Sequence, residues 1–134
     1  MKILIIDDNA ADRNFYRHHI KECNLFTNVK IEECGSLSSA FEWFNKETFD
    51  VILLDLGLPE SDGIQTIIET HKELNKKGKM PSIIVLTGLE DKAHTIGIEA
   101  FKHGVKDFLT KSEVFENHKE LSRSIKYATY SLVS

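Results

Sequence analysis

The sequence predicts an α/β protein: a doubly wound, five-stranded parallel sheet with five helices on its two faces. Three observations predict it. Short continuous apolar runs recur along the chain, as strands buried on both faces require. Longer stretches with helical period separate them. The 134 residues suit one core and are too few for two ordinary domains.

The elements follow in order. Ile3 to Ile6 is the first apolar run. A helix is expected from about Ala10 to Asn24, with Phe15, Tyr16, Ile20 and Cys23 toward one side and Asn9 as its cap, Asp12 lying three residues on. Val29 to Cys34 is a weaker strand candidate, followed by a helix over about Ser38 to Lys46. Val51 to Leu54 is the third strand and Gly63 to Asn75 the third helix. Ile83 to Leu86 is the fourth strand, and about Asp91 to His103 the fourth helix. Phe108 to Leu109 is a short fifth strand. The fifth helix carries Val114, Leu121, Ile125, Ala128 and Leu132 on one stripe. With right-handed crossovers, this alternation suits the flavodoxin-like strand order 2-1-3-4-5. No repeat, low-complexity segment or linker interrupts it, so residues 1–134 read as one domain, with the fifth helix extended beyond about position 128. Between His71 and Lys79 four lysines gather with one glutamate, which reads as a helix end and solvated loop.

Composition narrows the function classes. Hydrophobic residues are 41% and charged residues 28%, an ordinary globular balance. The formal net charge of −4 argues against a broad basic field for nucleic acid. No apolar run approaches the roughly 20 residues that span a membrane. The opening Met-Lys-Ile-Leu-Ile-Ile runs straight into Asp7 and is too short for a signal-peptide core. Cys23 and Cys34 sit in no paired motif, as expected of free thiols in a reducing cytosol. The six histidines are scattered singly, with no transition-metal spacing.

In an open parallel sheet, ligands bind outside the carboxyl ends of the strands. The polar residues expected there are Asp7 and Asp8 after strand 1, Asp55 after strand 3, Thr87 and Gly88 after strand 4, and Lys111 after strand 5. Strands 1 and 3 are neighbours in the expected order, so three carboxylates share one small volume. Like charges at that range do not all stay ionised without a counterion. A hard divalent cation meets the need, and Mg²⁺ takes only one or two carboxylates plus phosphate oxygens. One carboxylate is then left to attack phosphorus and form an aspartyl phosphate. The metal and Lys111 would offset charge on the transferring group. The Thr87 hydroxyl would donate to a phosphoryl oxygen, and Gly88 would let the backbone come close. Singly, each residue has a plainer explanation as a turn, a cap or a solvated lysine. Their joint placement at successive strand ends points to a site.

These residues resemble the receiver domain of two-component response regulators. The matching pieces are Ile-Leu-Ile-Ile-Asp7-Asp8-Asn9, Leu-Leu-Asp55-Leu-Gly-Leu-Pro59-Glu-Ser-Asp62-Gly63, Leu-Thr87-Gly88 and Phe108-Leu-Thr-Lys111, and the likeness runs from Ile3 to about Ala128. The resemblance implies roles. Asp55 would accept the phosphoryl group. Asp8 would coordinate Mg²⁺ directly, Asp7 largely through water, and the backbone carbonyl of Gly57 would be a further ligand. Thr87 and Lys111 would contact the phosphoryl group. Phe108 resembles the switch aromatic that turns inward when the Thr87 hydroxyl moves toward phosphate, with plain core packing as the alternative. Pro59 and Asp62 read as a turn residue and a cap of the third helix.

The resemblance also implies partners. Phosphoryl would come from a histidine kinase or a histidine phosphotransfer protein. The signal would leave through the surface of helix 4, strand 5 and helix 5 to a downstream protein, in a cytoplasmic monomer or a phosphorylation-dependent homodimer. Beyond self-phosphorylation and self-dephosphorylation the chain is not expected to be an enzyme. It has no helix-turn-helix or basic recognition helix for DNA.

Several positions depart from the family pattern. Ser112 stands where a cis proline usually follows the lysine. A cis bond before a non-proline costs about 2.5–4 kcal/mol, so a trans bond is expected. Gly57 has no side chain to shield the phosphoryl group and the apolar Leu89 cannot orient an attacking water, so the lifetime of that group is expected to depend partly on them. The ending Arg123-Ser-Ile-Lys-Tyr-Ala resembles receivers that continue into another domain, so the chain reads as free-standing or as a receiver fragment of a larger protein. His118 falls on the last helical stripe as a boundary residue. Two other functions compete with this reading. A phosphatase of the haloacid-dehalogenase type needs Asp-x-Asp after strand 1, where this chain has Asp7-Asp8-Asn9. A receiver-like binding module without phosphorylation would not need the complete set of side chains that is present.

Overall fold

The computed structural model describes residues 1–24, 26–61, 63–78, 80–88 and 93–133. The expectations that fall on Asp62, Leu89, Asp91 and the side chain of Leu132 lie outside what it describes. Five strands form one parallel sheet: β1 Lys2–Ile6, β2 Lys30–Cys34, β3 Val51–Asp55, β4 Ser82–Thr87 and β5 Asp107–Thr110. Their order is β2-β1-β3-β4-β5, as the alternation predicts.

The strands read as solid apolar runs because both faces of the sheet are covered. Every residue of β3 and β4 is buried. Successive side chains alternate between faces, and two cores result. Leu4, Ile6, Ile52, Leu54, Ile83 and Val85 pack in one. Ile3, Ile5, Val51, Leu53, Ile84 and Leu86 pack in the other. Each fully buried Ile or Leu contributes about 1.5–3 kcal/mol by leaving water.

The helices are α1 Ala10–Glu22, α2 Leu37–Lys46, α3 Ile64–Asn75, α4 Ala93–Lys102, α5 Lys111–Glu116 and α6 Lys119–Val133. Leu37, Ala40 and Phe44 of α2, Ile67 and Leu74 of α3, and Ala100 of α4 fill the first core. Tyr16 and Ile20 of α1, Val114 of α5, and Leu121, Ile125 and Ala128 of α6 fill the second. The expected cap is present: the Asn9 side chain accepts from Asp12 N–H at 3.0 Å. Gly63 enters α3 at φ +52°, a left-handed conformation that favours glycine.

The expected fifth helix is two. Asn117 leaves the helical region at φ −142°, ψ 90°. Its N–H still closes α5 on Glu113 O at 3.0 Å. Its side chain accepts from Lys119 N–H at 3.2 Å and so opens α6. Among the described residues no peptide bond is cis, so the Lys111–Ser112 bond is trans as expected.

Candidate functional site

Asp7 and Asp8 continue β1 past the edge of the sheet. Three bonds fix Asp7: its N–H donates to Cys34 O at 3.1 Å, its Oδ1 accepts from Asn9 N–H at 2.9 Å, and Arg13 Nη1 donates to its carbonyl at 2.6 Å. Asp7 is 1% exposed, whereas Asp8 faces solvent. Asp55 closes β3 and is 4% exposed. The register pairs Ile6 with Leu54, which brings the next residue on each strand, Asp7 and Asp55, to the same edge. One carboxylate oxygen from each of Asp7, Asp8 and Asp55 lies within 4.8 Å of the other two. The Gly57 N–H donates to Asp55 Oδ1 at 3.0 Å, which lays the Gly57 backbone against that carboxylate.

Lys111, the first residue of α5, reaches back over this edge. Its Nζ lies 2.7 Å from Asp12 Oδ2, 2.9 Å from Asp7 Oδ2 and 3.6 Å from Asp55 Oδ2. Its stem passes Gly88, where an added Cβ would sit 4.0 Å from Lys111 Cδ. Thr87, the last residue of β4, is fully buried and in register with Thr110 of β5. The structure therefore brings Asp7, Asp8, Asp55 and Lys111 together, with Gly88 beside the Lys111 stem and Thr87 at the end of the adjoining strand.

Electrostatics at this edge are unusual. Burial pushes the Asp55 carboxyl up from its ordinary value to about 6. The Gly57 N–H opposes that rise, Asp7 adds to it, Lys111 opposes it and Asp8 adds a little more. Burial works against the Lys111 ammonium, yet the Asp12 and Asp7 carboxylates hold its pKa well above the usual lysine range. Asp7 Oδ2 is buried and accepts no well-aligned hydrogen bond, although the ammonium is its ion-pair neighbour. A set of three carboxylates with a buried, incompletely satisfied oxygen fits a hard cation with oxygen ligands. These three residues can hold a metal ion.

Asp12 is the residue that the sequence reading did not assign to the site. Sequence pattern marks it only as a neighbour of the Asn9 cap. No local signal marks it as part of the site, because its partner Lys111 lies 99 positions away. Phe108 is half-buried against the first core, and its ring lies on α4, where a Cβ on Gly97 would come within 3.4 Å of Cδ1.

A doubly wound parallel sheet with an acidic triad and a lysine at its carboxyl edge places its charged groups where α/β folds of this class bind ligands. Comparison with known proteins makes the class specific. Residues 3–125 match the family model of the response regulator receiver domain, and the chain belongs to that family. It is 30% identical over 133 residues to the transcriptional regulatory protein ResD of Bacillus subtilis, covering 96% of this chain and 51% of ResD. Among solved structures, the response regulator domain of Thermotoga maritima CheB is 26% identical, with a TM-score of 0.78, covering 97% of this chain and 96% of that one. A Burkholderia pseudomallei response regulator, solved with a phosphorylated aspartic acid, calcium ion and citrate, shares the fold at 22% identity and a TM-score of 0.65, covering 82% of this chain and 59% of that one. The chain spans about half or less of the curated relatives first matched, from 51% of ResD down to 8% of a Dictyostelium discoideum hybrid signal transduction histidine kinase. No helix of the described residues is long and apolar enough to cross a membrane.

Proposed function

We propose that this receiver domain takes a phosphoryl group onto Asp55, with Mg²⁺ held by Asp7, Asp8, Asp55 and the Gly57 carbonyl. One observation carries the reading. The buried Asp55 carboxylate has two further carboxylates within 4.8 Å and the Lys111 ammonium at 3.6 Å. Bound Mg²⁺ would supply positive charge to the carboxylates and to the transferring group. Asp55 must be ionised to attack phosphorus, and a neighbouring cation would favour that form against the burial that raises its pKa. Lys111 would neutralise charge on the arriving phosphoryl oxygens. The Thr87 hydroxyl would donate to one of them, and Phe108 would follow that movement. The family supports a signalling role, and the Burkholderia receiver of the same fold carries a phosphorylated aspartic acid.

The phosphodonor would be a histidine kinase or histidine phosphotransfer protein, and the target a further protein contacted through the face of α4, β5 and the last helices. The domain would act in the cytoplasm as a monomer or a phosphorylation-dependent homodimer, apart from nucleic acid and membrane. It would turn over nothing beyond its own phosphoryl group. Intact-mass spectrometry after incubation with acetyl phosphate and Mg²⁺ tests the centre of the reading. A single phosphoryl adduct is expected, mapped to Asp55 and absent from Asp55→Asn or when EDTA replaces Mg²⁺. An adduct that survives in Asp55→Asn would overturn it.

A further inference from the structure

Away from the carboxylate edge, a cleft of about 520 Å³ opens between α1 and α6. That volume lies within the range of clefts that take small organic ligands. From α1 come His19, Glu22 and Cys23. From α6 come Lys119, Ser122, Arg123 and Lys126, and His118 closes one end from the residue before the helix.

Three features of this cleft point to an anionic ligand. Lys119, Arg123 and Lys126 lie at spacings of four and three residues, which puts their charges on one face of α6. Among the described residues Glu22 is the only carboxylate that lines the cleft with them, on a chain whose net charge is −4. Arg123 also meets Glu120 at 2.8 Å on the exposed surface, a kind of pair that contributes little and leaves further guanidinium donors. Ser122 is 2% exposed, and its Oγ has no hydrogen-bond partner among the described residues. A buried hydroxyl without a partner is uncommon. In the wall of a cleft it is a donor available to a ligand. The His19 and His118 rings stack at 4.1 Å and 22°, and His118 is itself exposed, which offers a flat surface beside the cations.

We propose that the α1–α6 cleft binds a phosphate-bearing small molecule. Its phosphate meets Lys119, Arg123, Lys126 and the Ser122 hydroxyl, and its organic part lies against His118. A transition metal fits the same residues less well. Near-parallel stacking turns ring planes toward each other, whereas metal ligation needs converging ring nitrogens. Among the described residues the only set of three metal-ligating groups is Asp7, Asp8 and Asp55. The inference does not rest on phosphorylation of Asp55.

Residue-resolved NMR titrations of the full chain in EDTA, with ATP, inorganic phosphate and adenosine as separate probes, test it. ATP should give saturable shifts at positions 19–23 and 118–126 with a dissociation constant of about 1 mM or tighter. Phosphate should bind the same residues more weakly, and adenosine not at all. The charge reversal Arg123→Glu, at a 71% exposed side chain, should weaken ATP binding about tenfold or more with an unchanged melting curve. Ser122→Ala should weaken it less. The proposal is overturned by any of three results: no saturable shift with either phosphate probe, shifts confined to the carboxylate edge, or equal affinity of Arg123→Glu.

Discussion

Lys111 has one ammonium and three carboxylate neighbours, and their distances decide what its removal would do. Asp12 at 2.7 Å is the nearest, and it holds the lysine over the site from the exposed side. Asp7 and Asp55 are the buried ones, at 2.9 and 3.6 Å. Lys111→Met keeps the stem and removes the charge. Labelling by acetyl phosphate with Mg²⁺ should then slow on the order of a hundredfold, the usual effect of losing one preorganised charge stabiliser. Asp12→Asn leaves the ammonium beside the two buried carboxylates, so its labelling rate should fall by less than about tenfold. Time courses of adduct formation separate the two, and an Asp12→Asn defect as large as that of Lys111→Met would give Asp12 a direct part. The sequence placed Lys111 at the site through its position after a strand. It did not place Asp12 there, because the pairing joins residues 99 positions apart, beyond the reach of any local pattern.

Most elements were legible because each has its own period and its own boundary. The apolar runs marked all five described strands within about a residue, and Asn9 marked the start of α1. The division between α5 and α6 was not legible, and the reason is geometric. Val114 and Leu121 are both fully buried in one core. They are seven residues apart, close to two turns of an uninterrupted helix. An apolar stripe therefore keeps its phase across the break. Only Asn117 interrupts it, by offering the backbone a local side-chain bond in place of a helical one. Asn117→Ala removes the acceptor at Lys119 N–H. It should destabilise the domain by about 0.5–1 kcal/mol, in the range of a lost helix-end bond, readable as a lower urea midpoint with unchanged slope. A stability equal to wild type would mean that packing of Val114 and Leu121 alone sets the break.

The whole molecule was legible in its topology because alternating buried strands and amphipathic helices leave few ways to cover both faces of one sheet. That same arrangement sets the stability, because it carries three carboxylates to one edge and buries two of them. Asp55 is raised from near 3.8 to about 6, so the folded state holds its proton at a pH where the unfolded chain has released it. Below about pH 4 both states are protonated and the site costs nothing. As pH rises from about 4 to 6 that benefit is lost, and above about 6 the folded protein carries the full penalty of a buried charge. Two pKa units correspond to about 3 kcal/mol at most, and neighbouring groups share in it. Metal-free Asp55→Asn, nearly the same shape without the charge, should therefore be more stable than wild type near neutral pH by about 1–3 kcal/mol. The gap should close as pH falls toward 4. Mg²⁺ should also close it, because a ligand of the folded state stabilises by mass action and the variant has lost one of the three carboxylates. Urea unfolding across this pH range, in EDTA and in Mg²⁺, reads both effects. Equal stabilities of wild type and Asp55→Asn at neutral pH without metal would show that Lys111 already neutralises the site, leaving no electrostatic need for a cation.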